Sequence, residues 1–124
     1  MARIANACRA YGLRPIDGPF TDFRDADGYR ASAQRAAALG FEGKWAIHPS
    51  QIDLANEVFS PTSRQLAWAE RIRTVMAETT RAGQGAVGAD GVLVDMAHLK
   101  MADSIAQRQA LVDAATRNRK AKQT

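Results

Sequence analysis

Cysteine is almost absent from this chain. Cys8 stands alone, so no disulfide can form within it and no thiolate metal cluster fits. Aromatic residues make up 6% of the sequence, and none is interleaved with the basic C-terminal run Arg117, Arg119, Lys120 and Lys122. A stacking platform for nucleic-acid bases is therefore not indicated. That run also lacks acidic neighbours, but Lys and Arg complement the carbonyl end of a helix, so the tail reads as a solvated helix end. No apolar run approaches the roughly 20 residues of a membrane span. The N-terminal Met-Ala-Arg-Ile-Ala-Asn-Ala-Cys is too polar for a signal-peptide core. The expectation is a cytoplasmic chain with neither membrane nor nucleic-acid partner. Internal repeats and low-complexity segments are lacking as well.

What is present is globular in balance. The 124 residues are 46% hydrophobic and 24% charged, with 17 basic against 13 acidic side chains, a formal +4. Two blocks dominate: Arg14-Pro15-Ile16-Asp17-Gly18-Pro19-Phe20-Thr21-Asp22-Phe23 and Lys44-Trp45-Ala46-Ile47-His48-Pro49-Ser50-Gln51-Ile52. Each is a short apolar run that ends abruptly in turn chemistry, and an alanine-rich segment separates them. The order strand, loop, helix, strand, loop is how a parallel α/β fold presents functional groups at the carboxyl ends of its strands. A (β/α)₈ barrel needs roughly 250 residues, so the expected fold is the end of such a barrel rather than all of it.

Along the chain, helix formers run from about Ala2 to Ala10 with Tyr11-Gly12 as the stop. That helix has no N-cap ahead of it, as if the start fell inside a longer reading frame. A strand is expected over Leu13–Ile16, with Pro15 tolerated near an edge. Gly18 to Ala26 reads as loop, with Asp25 or Asp27 capping a helix that ends near Leu39 and Gly40. That helix would bury Tyr29, Ala33, Ala36, Ala37 and Leu39. A second strand is expected over Lys44–Ile47, with Trp45 and Trp68 as packing residues, and a short helical turn over Ser50–Phe59. Thr62 and Gln65 match a capping box, opening a helix with Leu66, Ala69, Ile72, Val75 and Met76 on one side. It ends at Arg81-Ala82-Gly83. Asp90-Gly91 signals a hairpin between Gly85–Gly88 and Val92–Val94. A last helix from about Met96 to Arg117 presents Leu99, Ala102, Ile105, Ala106, Gln109 and Val112. Domain boundaries are expected at 1–59 and 60–124.

Several motifs together carry a resemblance. They are Gly12-Leu13-Arg14-Pro15-Ile16-Asp17-Gly18-Pro19, Asp22-Phe23-Arg24-Asp25, and Ala38-Leu39-Gly40-Phe41-Glu42-Gly43-Lys44-Trp45-Ala46-Ile47-His48-Pro49-Ser50-Gln51. Ala67-Trp68-Ala69, Ala82-Gly83-Gln84-Gly85-Ala86 and Asp90-Gly91-Val92-Leu93-Val94-Asp95 follow in order. The sequence resembles the C-terminal portion of the HpcH/HpaI aldolase and citrate lyase beta-chain family, especially its malyl-CoA and citramalyl-CoA lyase branch. The resemblance implies a C-terminal fragment of a TIM barrel, its last two βα units, followed by a helix–hairpin–helix lid extension. In the family that lid reaches over the barrel of a neighbouring subunit in homotrimers or hexamers. The implied chemistry makes or breaks the carbon–carbon bond between an acyl-CoA thioester and a 2-oxo acid. Mg²⁺ is the implied cofactor, with its carboxylate ligands and the clamping arginine on strands this chain does not contain. No metal ligand is expected within it.

Breaking that bond leaves an enolate on the thioester, and a carboxyl group must exchange a proton with its α-carbon. By resemblance the group is Asp95; read from position alone, Asp95 is the N-cap of the last helix, and the two roles can coexist. Ile47, His48 and Pro49 map onto the loop that touches the CoA thioester, though a lone histidine after a strand also serves structure. Asp17, Gly18 and Pro19 either line the site or form a turn capped by the aspartate. Asp22, Arg24 and Asp25 read as loop-stabilising. The leading expectation is the C-terminal part of a CoA-ester lyase, inactive alone and completed by other copies or by the missing barrel half. The competing one is a non-catalytic chain that docks as a lid on complete family members.

Overall fold

In a computed structural model, residues 1–83, 87–89 and 92–122 are described. They fall into two compact units, Met1–Phe59 and Ser60–Thr124.

The first unit contains α1 (Ala2–Ala10), β1 (Ile16–Asp17), α2 (Ala26–Ala38), β2 (Gly43–Lys44) and α3 (Ser50–Phe59). Strand and helix alternate twice after α1, and β1 pairs with β2 in parallel, Ile16 opposite Gly43 and Asp17 opposite Lys44. Gly12 leaves α1 with φ 68° and Gly40 follows α2 with φ 92°. This left-handed region costs a residue with a Cβ roughly 1–2 kcal/mol, which is why glycine marks both exits. Asp25 starts α2 by accepting a bond from the Gly28 amide at 2.8 Å. Small residues then let α2 approach its neighbours closely: Ala33 and Ala36 are fully buried, as is Tyr29. Ala5, Ala36 and Phe41 form a core cluster with Phe59 against it. At its edge Glu42 takes Arg9 at 2.7 Å and Arg14 at 2.6 Å.

The second unit contains α4 (Ser63–Arg81), β3 (Val87–Ala89), β4 (Val92–Val94) and α5 (Met96–Ala121). Thr62 and Gln65 cap α4 reciprocally, the Gln65 amide donating to Thr62 Oγ1 at 3.2 Å and the Thr62 amide to Gln65 Oε1 at 2.8 Å. β3 and β4 are antiparallel, with Val87 opposite Val94. The hairpin turn expected at Asp90-Gly91 and the run Gln84-Gly85-Ala86 lie outside the described residues. Ala69, Ile72, Met76, Val94 and Ala102 make the core, with Trp68, Leu99 and Ile105 packed on it. Burying side chains such as Ile72 and Met76 contributes about 1.5–3 kcal/mol each.

Several expectations move. The first strand is not Leu13–Ile16 but Ile16–Asp17, because Pro15 has no amide to donate; its carbonyl accepts from the Glu42 amide instead. The second strand is Gly43–Lys44 rather than Lys44–Ile47. Trp45 is 61% exposed and Leu39 42% exposed, so neither is a core residue of this unit. Ser50–Phe59 is a full helix of 10 residues, and α5 runs past Arg117 to Ala121.

Candidate functional site

Two clusters gather the residues singled out above, one in each unit. In the first, the loops that follow β1 and β2 are tied by four buried side chains. Asp17 points into the protein at 8% exposure and pairs with Lys44 Nζ at 2.6 Å. The Lys44 side chain is only 3% exposed, and its ammonium also donates to the Gly18 carbonyl at 2.9 Å. The lysine therefore fixes where the chain turns after Asp17, while Gly18 and Pro19 are exposed. Tyr29 donates its hydroxyl to the Trp45 carbonyl at 3.3 Å, and its phenol is pushed up, first by burial and then by the Asp17 charge. Gln51, 1% exposed, accepts from the Ile47 amide at 2.8 Å and donates to the Phe20 carbonyl at 2.9 Å. One side chain thus staples the two loops together.

Ile47, His48 and Pro49 are exposed on this frame. The His48 ring stacks on Phe23 with centroids 4.4 Å apart and planes 17° from parallel, and the Arg24 guanidinium lies 5.7 Å from the Phe23 centroid. His48 Nδ1 sits 2.9 Å from Ser50 Oγ and 3.2 Å from the Ser50 amide, and Ser50 Oγ donates to the Phe23 carbonyl at 3.2 Å. A backbone amide can only donate, so Nδ1 is the acceptor of the Ser50 amide, and in the neutral ring the proton then lies on Nε2.

The second cluster is the start of α5. Asp95 is its N-cap: Oδ1 accepts from the Ala97 amide at 2.9 Å and the His98 amide at 3.3 Å. His98 Nδ1 stands 2.9 Å from the same oxygen. These bonds, led by that from the His98 side chain, hold the Asp95 carboxyl below its ordinary range. The carboxylate is half-exposed, and Oδ2 takes no hydrogen bond among the described residues. The structure thus makes Asp95 a cap while leaving Oδ2 uncommitted among the described residues.

Magnesium does not fit what is described. Among the described residues no three His, Cys, Asp or Glu side chains are grouped to hold a metal ion. Asp17 is already paired with Lys44. No described helix is long and apolar enough to cross a membrane.

Lys44, Gln51 and His98 were not singled out from the sequence. Lys44 and Asp17 meet only through the strand register, and Gln51 only through the fold of two loops. His98 was within reach, since Asp95-Met96-Ala97-His98 has the spacing of a capping box with histidine in the glutamate position.

Comparison with known proteins gives these clusters a context. A family profile described as HpcH/HpaI aldolase/citrate lyase matches residues 1–49. The L-malyl-CoA/beta-methylmalyl-CoA lyase of Cereibacter sphaeroides is 47% identical over 113 residues, 91% of this chain and 36% of its own length. The mitochondrial citramalyl-CoA lyase of Rattus norvegicus is 41% identical over 83% of this chain and 30% of its own. Among solved structures, the CitE protein of Mycobacterium tuberculosis in complex with magnesium, acetoacetate and coenzyme A superposes with a TM-score of 0.64 at 34% identity, covering 85% of this chain and 38% of that one. The chain spans about a third of the length of the curated relatives it matches. Its motifs, its profile match and its identity to these lyases agree, and the chain belongs to the HpcH/HpaI aldolase/citrate lyase family.

Proposed function

We propose that this chain is the C-terminal portion of a CoA-ester lyase acting on a malyl-CoA or citramalyl-CoA type substrate. The observation that carries the reading is 47% identity to a lyase across 91% of the chain. In this reading the Met1–Phe59 unit is the last two βα units of a TIM barrel, and the unit from Ser60 onward is a lid. The lid serves the barrel of a neighbouring copy in a homotrimer or hexamer.

The chain's own residues then divide the work. Gly18, Pro19, Ile47, His48 and Pro49 are exposed on loops that Lys44 and Gln51 hold rigid, and they receive the thioester arm; Asp17 acts by keeping Lys44 on the Gly18 carbonyl. His48 Nε2–H donates a hydrogen bond to the ligand. Asp95 exchanges the proton at the α-carbon, accepting it when the bond is made and returning it to the enolate when the bond is cleaved. An ionised carboxylate is the form that accepts. Closing the lid would dehydrate Asp95 and push its carboxyl up toward the operating pH, where proton transfer is most efficient. Magnesium, held outside this chain, would supply positive charge where the enolate oxygen develops.

Reconstitution tests the reading. This chain is mixed with the Cereibacter sphaeroides lyase truncated to remove the matching segment. Magnesium-dependent cleavage of malyl-CoA or citramalyl-CoA by the mixture, and by neither part alone, is expected. Association without turnover would favour the non-catalytic docking chain, and turnover by this chain alone would overturn the proposal.

A further inference from the structure

The start of α5 holds a conflict that one nitrogen cannot satisfy. His98 Nδ1 is 3.3 Å from the Asp95 amide, a contact in which it must accept, and 2.9 Å from Asp95 Oδ1, a contact in which it must donate. A ring nitrogen carries either a proton or a lone pair. The shorter contact is also the one that an ionised acceptor strengthens, so it prevails and Nδ1 carries the proton. His98 is then not the neutral half of a capping box but a donor aimed at the carboxylate. Oδ1 receives this bond together with two backbone amides, and Oδ2 receives none among the described residues.

We propose that His98 is the positioning residue of Asp95: by holding Oδ1 it fixes the carboxylate rotamer and leaves Oδ2 as the oxygen that exchanges the proton. This rests on the proton-transfer role given to Asp95 above. Apart from Asp95, the charged groups that could compete for His98 are few. β3 and β4 carry no charged residue. The last turns of α4 carry Glu78 and Arg81, both exposed, and among the described residues neither has an ion pair with Asp95 or His98. Arg73 and Asp103, which face each other at 3.4 Å, lie further along the two helices. The His98 side chain is 35% exposed. The pairing also explains why the Asp95 carboxyl lies below its ordinary range, with the His98 side chain as the leading cause.

The chain itself suffices for the test, by NMR of the Asp95 carboxyl carbon and the His98 ring nitrogens against pH. At alkaline pH, where imidazoles are neutral, the ring is expected as the Nδ1–H tautomer; a neutral ring protonated at Nε2 only would overturn the proposal without any variant. His98→Gln keeps a side chain that can accept from the Asp95 amide, and so keeps the helix start, but removes the imidazole nitrogen that meets Asp95 Oδ1 at 2.9 Å. Its Asp95 midpoint is expected to rise while the melting temperature of the second unit stays within a few degrees of wild type. An unchanged Asp95 midpoint would overturn the proposal. In the reconstituted lyase, His98→Gln is expected to lower kcat by up to about 10²-fold, the scale of a misplaced catalytic group, with KM unchanged. Equal kcat values in variant and wild type would remove His98 from positioning while leaving the role of Asp95 intact. Loss of activity on Asp95→Asn would still report that role separately.

Discussion

Replacing Lys44 by methionine should strongly destabilise the first unit. The substitution keeps a long unbranched chain but removes the ammonium that bridges Asp17 Oδ2 at 2.6 Å and the Gly18 carbonyl at 2.9 Å. Both side chains are buried, 3% exposed for Lys44 and 10% for Asp17. The variant would leave a carboxylate inside the protein without its counter-ion. Breaking a buried pair on one side typically costs about 3–5 kcal/mol. The whole unit, at roughly 0.05–0.15 kcal/mol per residue, has about 3–9 kcal/mol to lose. The expected midpoint shift is therefore at least ~12 °C, since each kcal/mol moves a unit of this size by about 4–8 °C. Trp68→Phe makes Trp45 the sole tryptophan, and the Trp45 amide is bonded to the Asp17 carbonyl at 3.1 Å, so its fluorescence reports this strand pair. Replacing both partners, Asp17→Leu with Lys44→Met, should recover most of the loss, because an apolar pair of similar volume is often neutral or better. A Lys44→Met unit that melts within 2 °C or so of wild type would refute the reasoning. So would a double variant no more stable than the single one.

Further outcomes follow from the caps and the titrating groups. Thr62→Ala removes the oxygen that accepts the Gln65 amide and should cost the second unit about 1 kcal/mol, read as a lower denaturant midpoint with the m-value unchanged. Asp95 has its folded-state carboxyl lowered, so its contribution to the second unit is present above the ordinary carboxylate range and lost as pH falls through the folded value. A melting series from pH 7 to 3 should show that decline, and His98→Gln should weaken it. Tyr29 has its phenol raised, so its contribution to the first unit is complete below about pH 10 and falls as pH rises further. Tyr29→Phe should flatten the alkaline limb of that unit's stability profile.

The parts of this structure that were legible in the sequence are those governed by local chemistry. Gly12 and Gly40 mark helix exits because only glycine occupies their backbone angles without cost, and Asp25 and Thr62 mark helix starts because a side-chain oxygen must meet free amides. The strands were legible as a parallel pair but not in their limits. A two-residue strand has no period to read, and Pro15 moved the pairing one step on. Trp45 was read as packing because tryptophan is large and apolar, yet the first unit leaves it exposed. Burial depends on what surrounds a strand, which the strand's own residues do not encode. The ion pair of Asp17 with Lys44 is a product of register, invisible until Asp17 stands opposite Lys44. Asp95 was legible both as a cap and, through resemblance, as the proton-transfer group, and its geometry is compatible with both.

The most direct measurement is the turnover of the reconstituted lyase carrying Asp95→Asn. Asparagine is nearly isosteric and remains a competent N-cap, so α5 and the assembly should survive unchanged, as judged by melting temperature and sedimentation. It cannot exchange the proton at the α-carbon, and turnover should fall by about 10²–10⁴-fold, the usual worth of a general acid–base group. Mixing this variant with one defective only in the barrel portion should restore part of the activity, because some sites would then combine an intact barrel with an intact lid. Near-normal turnover by Asp95→Asn, together with a lower melting temperature, would make Asp95 a helix cap alone and contradict the account.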